Sequence, residues 1–280
     1  MHPALAFTRN QRLPLNLRRL VGGWFVPMSG RTFTLDLEPV FHGRLDNYIE
    51  WVVYVTGQFF EFPYINLVRR LHKGGVALDI GANLGNHALA FSAIFDEIHA
   101  VEPYPPVYER LAARREITDR IHPYRVALSD RSGSLSFQEP RTDNLGIGRI
   151  AEGGGMRVEA LRGDDFVRAE IHSRIDFVKV DVEGHELEVI RGLAGTLESN
   201  RPTVIFEASK AVMKTSDSIR ACFDLFPQNY VFHSLSGQSS WPLQRATARM
   251  YPMCRDAPRS GRRSVDLIAR PREKVTGDQR

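Results

Sequence analysis

An α/β fold, with a mainly parallel sheet between two helical layers, is what this 280-residue chain predicts. Three observations predict it. An apolar run, Val76 to Ile80, breaks at an acid and enters a glycine-punctuated turn. Short apolar runs then alternate with helical stretches, the pattern of strand-helix-strand units whose strands lie parallel. A hydrophobic content of 42% lets a chain of this length bury one full core and demands no second one.

Taken in order, Leu17 to Phe25 (L-R-R-L-V-G-G-W-F) predicts a packed arm rather than a membrane-surface helix, because Gly22 and Gly23 weaken helix there. The alternation R-T-F-T-L-D-L-E between Trp24 and Glu38 predicts a strand, one half of a hairpin. Tyr48 to Phe60 mixes aromatic and β-branched residues without a clean period and predicts no particular element. Tyr64 to His72 predicts a helix stopped by Gly74 and Gly75. There follow a strand to Asp79, a helix from Asn86, a strand from Ile98 to Val101 ending in Glu102, a helix from Pro105 to Arg115, and a strand around Tyr124 to Leu128. Ser134 to Phe137 and Met156 to Ala160 are expected as extra strands flanking the polar, glycine-rich stretch Glu139 to Gly155, which is either a lid over an acceptor or a plain surface insertion. Ile175 to Val180 is the fourth core strand, Glu186 to Leu197 its helix, and Thr203 to Phe206 the fifth strand, ending at Glu207. Ser218 to Phe226, Tyr230 to His233 and Ser264 to Ala269 supply a last helix and two closing strands. This divides the chain into an arm packed on the core (1–60), one catalytic domain (61–271) and a solvated tail (272–280).

The net charge of +4 comes from arginines spread along the chain. No long basic block with interleaved aromatics occurs, so nucleic acid is not the expected partner. A modest positive field would suit an anionic acceptor such as an acidic or phosphorylated glycan. Cys222 and Cys254 are too few and too far apart for a disulfide framework or a metal pair, which makes a reducing cytoplasm the default. The N-terminus lacks an apolar targeting core and no run approaches membrane-span length, so a soluble protein is expected. Nothing in the sequence specifies an oligomeric state.

The turn V-A-L-D-I-G-A-N-L-G-N (Val76 to Asn86) carries the chemistry. Gly81 and Gly85 let backbone approach a ligand, and a strand-to-helix turn is where nucleotide-like ligands sit in open α/β sheets. Glu102, about twenty residues on, is placed to accept hydrogen bonds from ribose hydroxyls. A dinucleotide fingerprint would offer bare N–H groups to a pyrophosphate, but here Asp79 precedes the first glycine and Asn83 replaces the second. A carboxylate there repels phosphate and attracts ammonium or sulfonium. S-adenosylmethionine carries both cations and no phosphate, and its carboxylate suits the N–H groups at the helix start near Asn86.

The blocks L-D-I-G-A-N-L-G-N-H-A-L (Leu78 to Leu89), A-V-E-P (Ala100 to Pro103) and above all I-D-F-V-K-V-D-V-E-G-H-E-L-E-V-I-R-G-L (Ile175 to Leu193) resemble the FkbM-type S-adenosylmethionine-dependent methyltransferases, within the Rossmann-like class. V-A-L-S-D-R-S-G-S-L-S-F (Val126 to Phe137) looks like the family's third strand and its turn. The likeness runs from roughly Glu61 to Pro271. It implies a Rossmann-like three-layer α/β/α sandwich with a seven-stranded, mainly parallel sheet and one antiparallel edge strand. It also implies O-methylation of a sugar, glycan or secondary-metabolite hydroxyl in a bacterial metabolic setting. Glu61 resembles the family's acidic residue ahead of the first strand, expected to reach the methionine end. The arm before Glu61 and the segment Ser234 to Arg263 depart from the family pattern.

An aliphatic hydroxyl is a poor nucleophile until its proton leaves, so a base within hydrogen-bond reach is required. D-V-E-G-H-E places Asp181, Glu183, His185 and Glu186 at the ligand-binding edge of the sheet, with Gly184 for the bend. His185 or Asp181 is the expected general base, with Glu183 as the third catalytic candidate; Asp181 alternatively binds the cofactor's amino group. Lys179 is placed to pair with a carboxylate or to meet an anionic acceptor. The expected cofactor contacts are Glu61, Asp79, Gly81, Asn83, Gly85, Asn86, Glu102, Tyr104, Ser129 and Asp181, with Asp130 beside Ser129 at the adenine edge and His87 near the acceptor. Asp181, Glu183, His185 and Glu207 could instead hold Mg²⁺ or Mn²⁺, a minor alternative to a metal-free site. The rival functions are a nicotinamide-dependent oxidoreductase on a similar sheet and a scaffold that binds the cofactor without turnover.

Overall fold

The computed structural model describes residues 15–140, 148–151, 153, 155–208, 215–236, 248–253 and 265–276. The described chain opens with helix α1 (Leu15–Phe25), the hairpin strands β1 (Thr32–Leu35) and β2 (Phe41–Arg44), and helix α2 (Tyr48–Thr56). Gly22 and Gly23 lie inside α1 without breaking it. A Cβ on Gly22 would stand 2.4 Å from a Val55 methyl, so the glycine lets α1 approach α2 at close range. Tyr48 to Thr56, which has no readable period, is helical. Asn47 caps it by accepting from Ile49 N–H at 2.9 Å, and it is buried on most sides. Its Glu50 sits beneath the surface between Arg110 and Arg114, 3.0 Å from the latter.

Next come α3 (Phe62–Leu71), β3 (Val76–Ile80), α4 (Asn86–Phe91), β4 (Glu97–Val101), α5 (Pro105–Ala112) with a 3₁₀ turn to Glu116, β5 (Ile121–Tyr124), β6 (Ala127–Ser129), β7 (Gly133–Gln138), β8 (Arg149–Ile150) and β9 (Met156–Arg162). The chain ends with α6 (Gly163–Glu170), β10 (Ile175–Val180), α7 (Glu186–Gly192), α8 (Ala194–Asn200), β11 (Thr203–Ala208), α9 (Ser216–Phe223), β12 (Tyr230–Ser236), β13 (Arg249–Met253), β14 (Val265–Pro271) and α10 (Arg272–Thr276).

The main sheet has the order β13-β12-β14-β11-β10-β3-β4-β5. Strands β11, β10, β3, β4 and β5 are parallel neighbours, whereas β14 runs antiparallel to both β11 and β12. The α/β class and mainly parallel sheet agree with expectation, and two details are corrected. Among the described residues the sheet has eight strands rather than seven. Two strands rather than one run against the rest: β14 is interior, with Leu267, Ile268 and Ala269 fully buried, so both its faces must be covered. The antiparallel edge strand is β13, which pairs with β12 and exposes Tyr251.

Two other boundaries differ. The strand expected around Tyr124 to Leu128 is two strands, because the chain leaves the main sheet after β5 and enters a second, four-stranded sheet, β6-β9-β7-β8. The single helix expected over Glu186 to Leu197 is broken at Leu193 into α7 and α8. A Cβ on Gly192 would lie 1.9 Å from the Ser129 carbonyl, so α7 ends pressed against β6. The expected tail begins with helix α10, and Cys254 lies outside the described residues.

Alternating side chains of the sheet feed two cores. Leu78, Ile80, Val178 and Val180 join Ile190, Leu193 and Phe223 on one face. Ala77, Phe177 and Ile205 join Ile65, Phe91 and Phe95 on the other. These are the two helical layers, and they hold the strand ends rigid where the site forms.

Candidate active site

From β3 the chain moves outward to β4 and β5, then returns to β10 and β11 on the other side. The crevice at the carboxyl ends of β3 and β10 is therefore a topological switch point. Gly81 N–H donates to Val101 O and Asp181 N–H to Ile80 O, both at 3.0 Å, which ties the ends together. Gly81 has φ +77°, and a Cβ there would lie 1.9 Å from the Asp181 carbonyl, so only glycine fits. Asn83 is also left-handed, at φ 50°. Its Oδ1 accepts from Leu84 N–H at 2.7 Å while its own N–H donates to Glu102 Oε2 at 3.2 Å. Tyr104 N–H donates to the other Glu102 oxygen at 2.9 Å. Burial pushes the Glu102 carboxyl up to about 7 despite these two donors.

Over these residues lies a narrow cleft reached by Gly81, Asn83, Glu102, Tyr104 and His185. Tyr104 stacks on Phe137, ring centres 5.6 Å apart, which gives the cleft an aromatic wall contributed by the second sheet. His185 belongs to this side: its Nε2 is 2.9 Å from Ser129 Oγ and its Nδ1 is 3.7 Å from Glu188. Burial lowers its pKa despite the nearby Glu188, favouring neutral imidazole. Ser129 is buried behind His185 and does not line the cleft itself.

Beneath the seam between cleft and cavity sits a charged stack. Asp79 and Lys179 are register partners on β3 and β10. Lys179 Nζ donates to Asp181 Oδ2 at 3.1 Å and stands 3.5 Å from Asp79 Oδ1. The latter is an ionic contact rather than a hydrogen bond, and neither Asp79 oxygen has a hydrogen-bond partner. Burial disfavours the lysine's charge, but Asp181 and Asp79 outweigh it and hold the ammonium above its ordinary range. Burial likewise opposes ionisation of Asp181, and Lys179 outweighs it in turn. Asp79 is fully buried and lines neither space, whereas Asp181 and Glu183 line both. Gly85 also lines neither, packed over Arg114 and Leu111 as the left-handed residue before α4. Asn86 spends its side chain on Phe60, accepting at 3.0 Å and donating at 3.1 Å. It clamps the arm to the cofactor turn.

On the far side of the seam is a cavity of about 420 Å³. Glu61, Tyr64, His87, Lys179, Asp181, Glu183, Glu207 and Asp266 give it its polar lining. His87 Nε2 is 3.2 Å from Glu61 Oε2, and Tyr64 Oη donates to Asp266 Oδ2 at 2.5 Å. Glu183 opens onto this space from a left-handed turn, φ 55°. Partial burial, then Asp181 and Glu207, push its carboxyl up to about 7. Among the described residues the positive field expected to favour an anionic acceptor is not reproduced locally, since five carboxylates line the cavity against one lysine and one histidine. Tyr64 and Asp266 escape a reading of the motifs because they lie far from them in sequence. Among the described residues no group of three or more His, Cys, Asp or Glu could hold a metal ion. The four proposed ligands are not brought together, for His185 and Glu207 face different spaces. No helix among the described residues is long and apolar enough to cross a membrane.

A switch-point crevice with a glycine turn, an acid on the next strand and an aromatic slot defines a nucleoside-binding α/β enzyme class. The methyltransferase FkbM domain model matches residues 79–229, more than half of the chain, and the chain belongs to that family. Hexuronic acid methyltransferase AglP of Haloferax volcanii is 34% identical over 137 residues, 48% of this chain and 56% of its own length. The match to the 2-O-methyltransferase NoeI of Sinorhizobium fredii is 27% identical over 172 residues, 54% of this chain and 71% of that protein. The alignment with the Haloferax protein thus spans little more than half of that relative. A crystal structure of methyltransferase FkbM from Methylobacillus flagellatus superimposes with TM-score 0.43 and 13% identity, over 79% of this chain and 53% of that one.

Proposed function

We propose that this protein transfers a methyl group from S-adenosylmethionine to a hydroxyl oxygen of a sugar or glycan. One observation carries the reading: the narrow cleft and the large cavity share Gly81, Asn83, Asp181 and Glu183, so a donor lying across the seam presents its reactive end to the cavity. The family supports methyl transfer, the name of the Haloferax relative, a hexuronic acid methyltransferase, supports a sugar-type acceptor, and that of the Sinorhizobium relative, a 2-O-methyltransferase, supports oxygen as the target.

The residues fit the donor. Tyr104 and Phe137 provide an aromatic slot for adenine, and His185, held by Ser129, offers it a polar edge. Glu102, fixed by two N–H groups, keeps acceptor capacity for ribose hydroxyls. Asp181 and Glu61 are placed for the amino group. When bound, S-adenosylmethionine supplies an electrophilic methyl whose bond to sulfur breaks, electrons to sulfur, as the acceptor oxygen bonds to carbon. Glu183 is the proton acceptor: it faces the cavity from the seam, and a carboxyl near 7 matches a base working at neutral pH. The chemistry asks little more than positioning and exclusion of water.

Isothermal titration with S-adenosylmethionine, its demethylated product and nicotinamide dinucleotides tests the donor. Methyl transfer from radiolabelled donor to glycans tests the reaction. Binding of S-adenosylmethionine and its demethylated product but of no dinucleotide, with label entering a glycan, is expected; dinucleotide binding in their place would overturn the reading.

A further inference from the structure

We propose that the large cavity receives a sugar that presents hydroxyl or ammonium groups and no carboxylate, and that Glu207 and Asp266 are the specificity-determining residues. The inference rests on the methyltransferase reading of the same site. Strands β11 and β14 pair antiparallel with Glu207 directly opposite Asp266, which places two carboxylates side by side on the cavity wall. Buried Tyr64 donates to Asp266 and fixes it. Ionised carboxylates are acceptor-only groups, so such a wall calls for donors from its ligand. Sugar hydroxyls and a protonated amine supply them, and a uronate carboxylate does not.

Among the described residues the cations lining the cavity are already engaged. Lys179 stands between Asp79 and Asp181, and His87 lies against Glu61. Arginine, the fork that recognises carboxylates best, is absent from the lining among the described residues. The family match covers 79–229, so Glu207 falls inside it, whereas Tyr64 and Asp266, the half of the wall fixed by their hydrogen bond, fall outside.

The wall also responds to pH. Asp266 faces Glu61, Glu207, Asp181 and Tyr64, and shares the cavity lining with Glu183, Lys179 and His87. Burial, then Glu61, raises its carboxyl to about 7 against the hydrogen bond from Tyr64, with Glu207 and Asp181 adding to the rise. Below that pH it loses its charge, so rejection of an anion weakens on acidification.

Ligand-observed NMR on protein saturated with S-adenosylhomocysteine tests this, using a methyl hexoside, its 2-amino analogue and the matching methyl hexuronide. At pH 8 the first two are expected to bind roughly tenfold or more tighter than the hexuronide, with the gap narrowing at pH 6. Asp266→Asn and Glu207→Gln, separately, should each shrink the gap while S-adenosylmethionine affinity stays within about twofold. Equal or tighter hexuronide binding, failure of all three sugars to bind, or a gap unmoved in both folded variants would overturn the inference and leave the donor reading standing. Failure of the wild-type protein to bind S-adenosylmethionine would overturn both.

Discussion

The narrow cleft over β3 and β4 is shaped by main chain, Glu102 and an aromatic pair, whereas beyond the shared seam the cavity beside β10 and β11 is lined by ionisable side chains. In the cleft, Gly81 and Asn83 hold left-handed backbone, and Glu102 is fixed by N–H groups. In the cavity, Glu61 and Tyr64 come from before the sheet, Glu207 from β11 and Asp266 from the antiparallel strand. On the proposed function, the first arrangement recognises one invariant shape, a nucleoside. The second can be rewritten residue by residue without moving a strand, which is how one sheet serves many acceptors.

Lys179 joins the two regions, and removing it should have the largest effect. Lys179→Met leaves Asp79, fully buried, without its counter-charge. Breaking a buried pair in this way costs about 3–5 kcal/mol. Chemical denaturation would measure it; a loss under about 1 kcal/mol would mean that Asp79 is carried neutral and the stack is not ionic.

Glu183→Gln separates chemistry from binding at the seam. A general base contributes roughly 10²–10⁴-fold, so kcat should fall by about that much with donor affinity nearly unchanged. The sign of the pH dependence follows from its raised carboxyl, near 7. Only the ionised form takes a proton, so the wild-type rate should drop about tenfold per pH unit below 7. The Gln variant should lose that limb, and an acid limb persisting in it would assign the base elsewhere, with Asp266 next in line.

Much of this was legible beforehand. The strand-turn-helix around Gly81, Glu102 at the end of the next strand and the turn after β10 all lie where contiguous patterns put them, because local backbone chemistry specifies them. What periodicity could not show depends on tertiary contact. Helix α2 is apolar on nearly every side, so it carries no amphipathic signal. Gly22 looks like a helix breaker until Val55 is seen against it. Asp79 reads as a ligand contact by its place in the motif, yet its register partner Lys179 claims it. Asp266 has no local signature, since its meaning comes from the strand opposite.

Tyr104→Ala should affect the cleft alone. It removes the ring stacked 5.6 Å from Phe137 and half of the proposed adenine slot. An aromatic pair is worth about 0.5–1.5 kcal/mol beyond burial, so donor affinity should weaken about tenfold while acceptor affinity holds. Titration calorimetry decides it, and parallel loss of both affinities would mean that the two spaces are not independent.

The smallest expected effect concerns His185, which a motif reading places at the reacting centre. In the structure it is hydrogen-bonded to Ser129 at 2.9 Å beside the narrow cleft, with burial lowering its pKa and favouring the neutral ring. On the proposed function, a residue there serves the donor through one hydrogen bond, worth about 0.5–1.5 kcal/mol. His185→Ala should therefore raise the donor Kd about threefold to tenfold and leave both kcat at saturating donor and its acid limb intact. A fall in kcat of a hundredfold or more with unchanged donor Kd would return His185 to the chemistry. That result would also require the imidazole to leave Ser129 and swing across the seam when ligands bind, a movement that replacing Ser129 with alanine would then make easier.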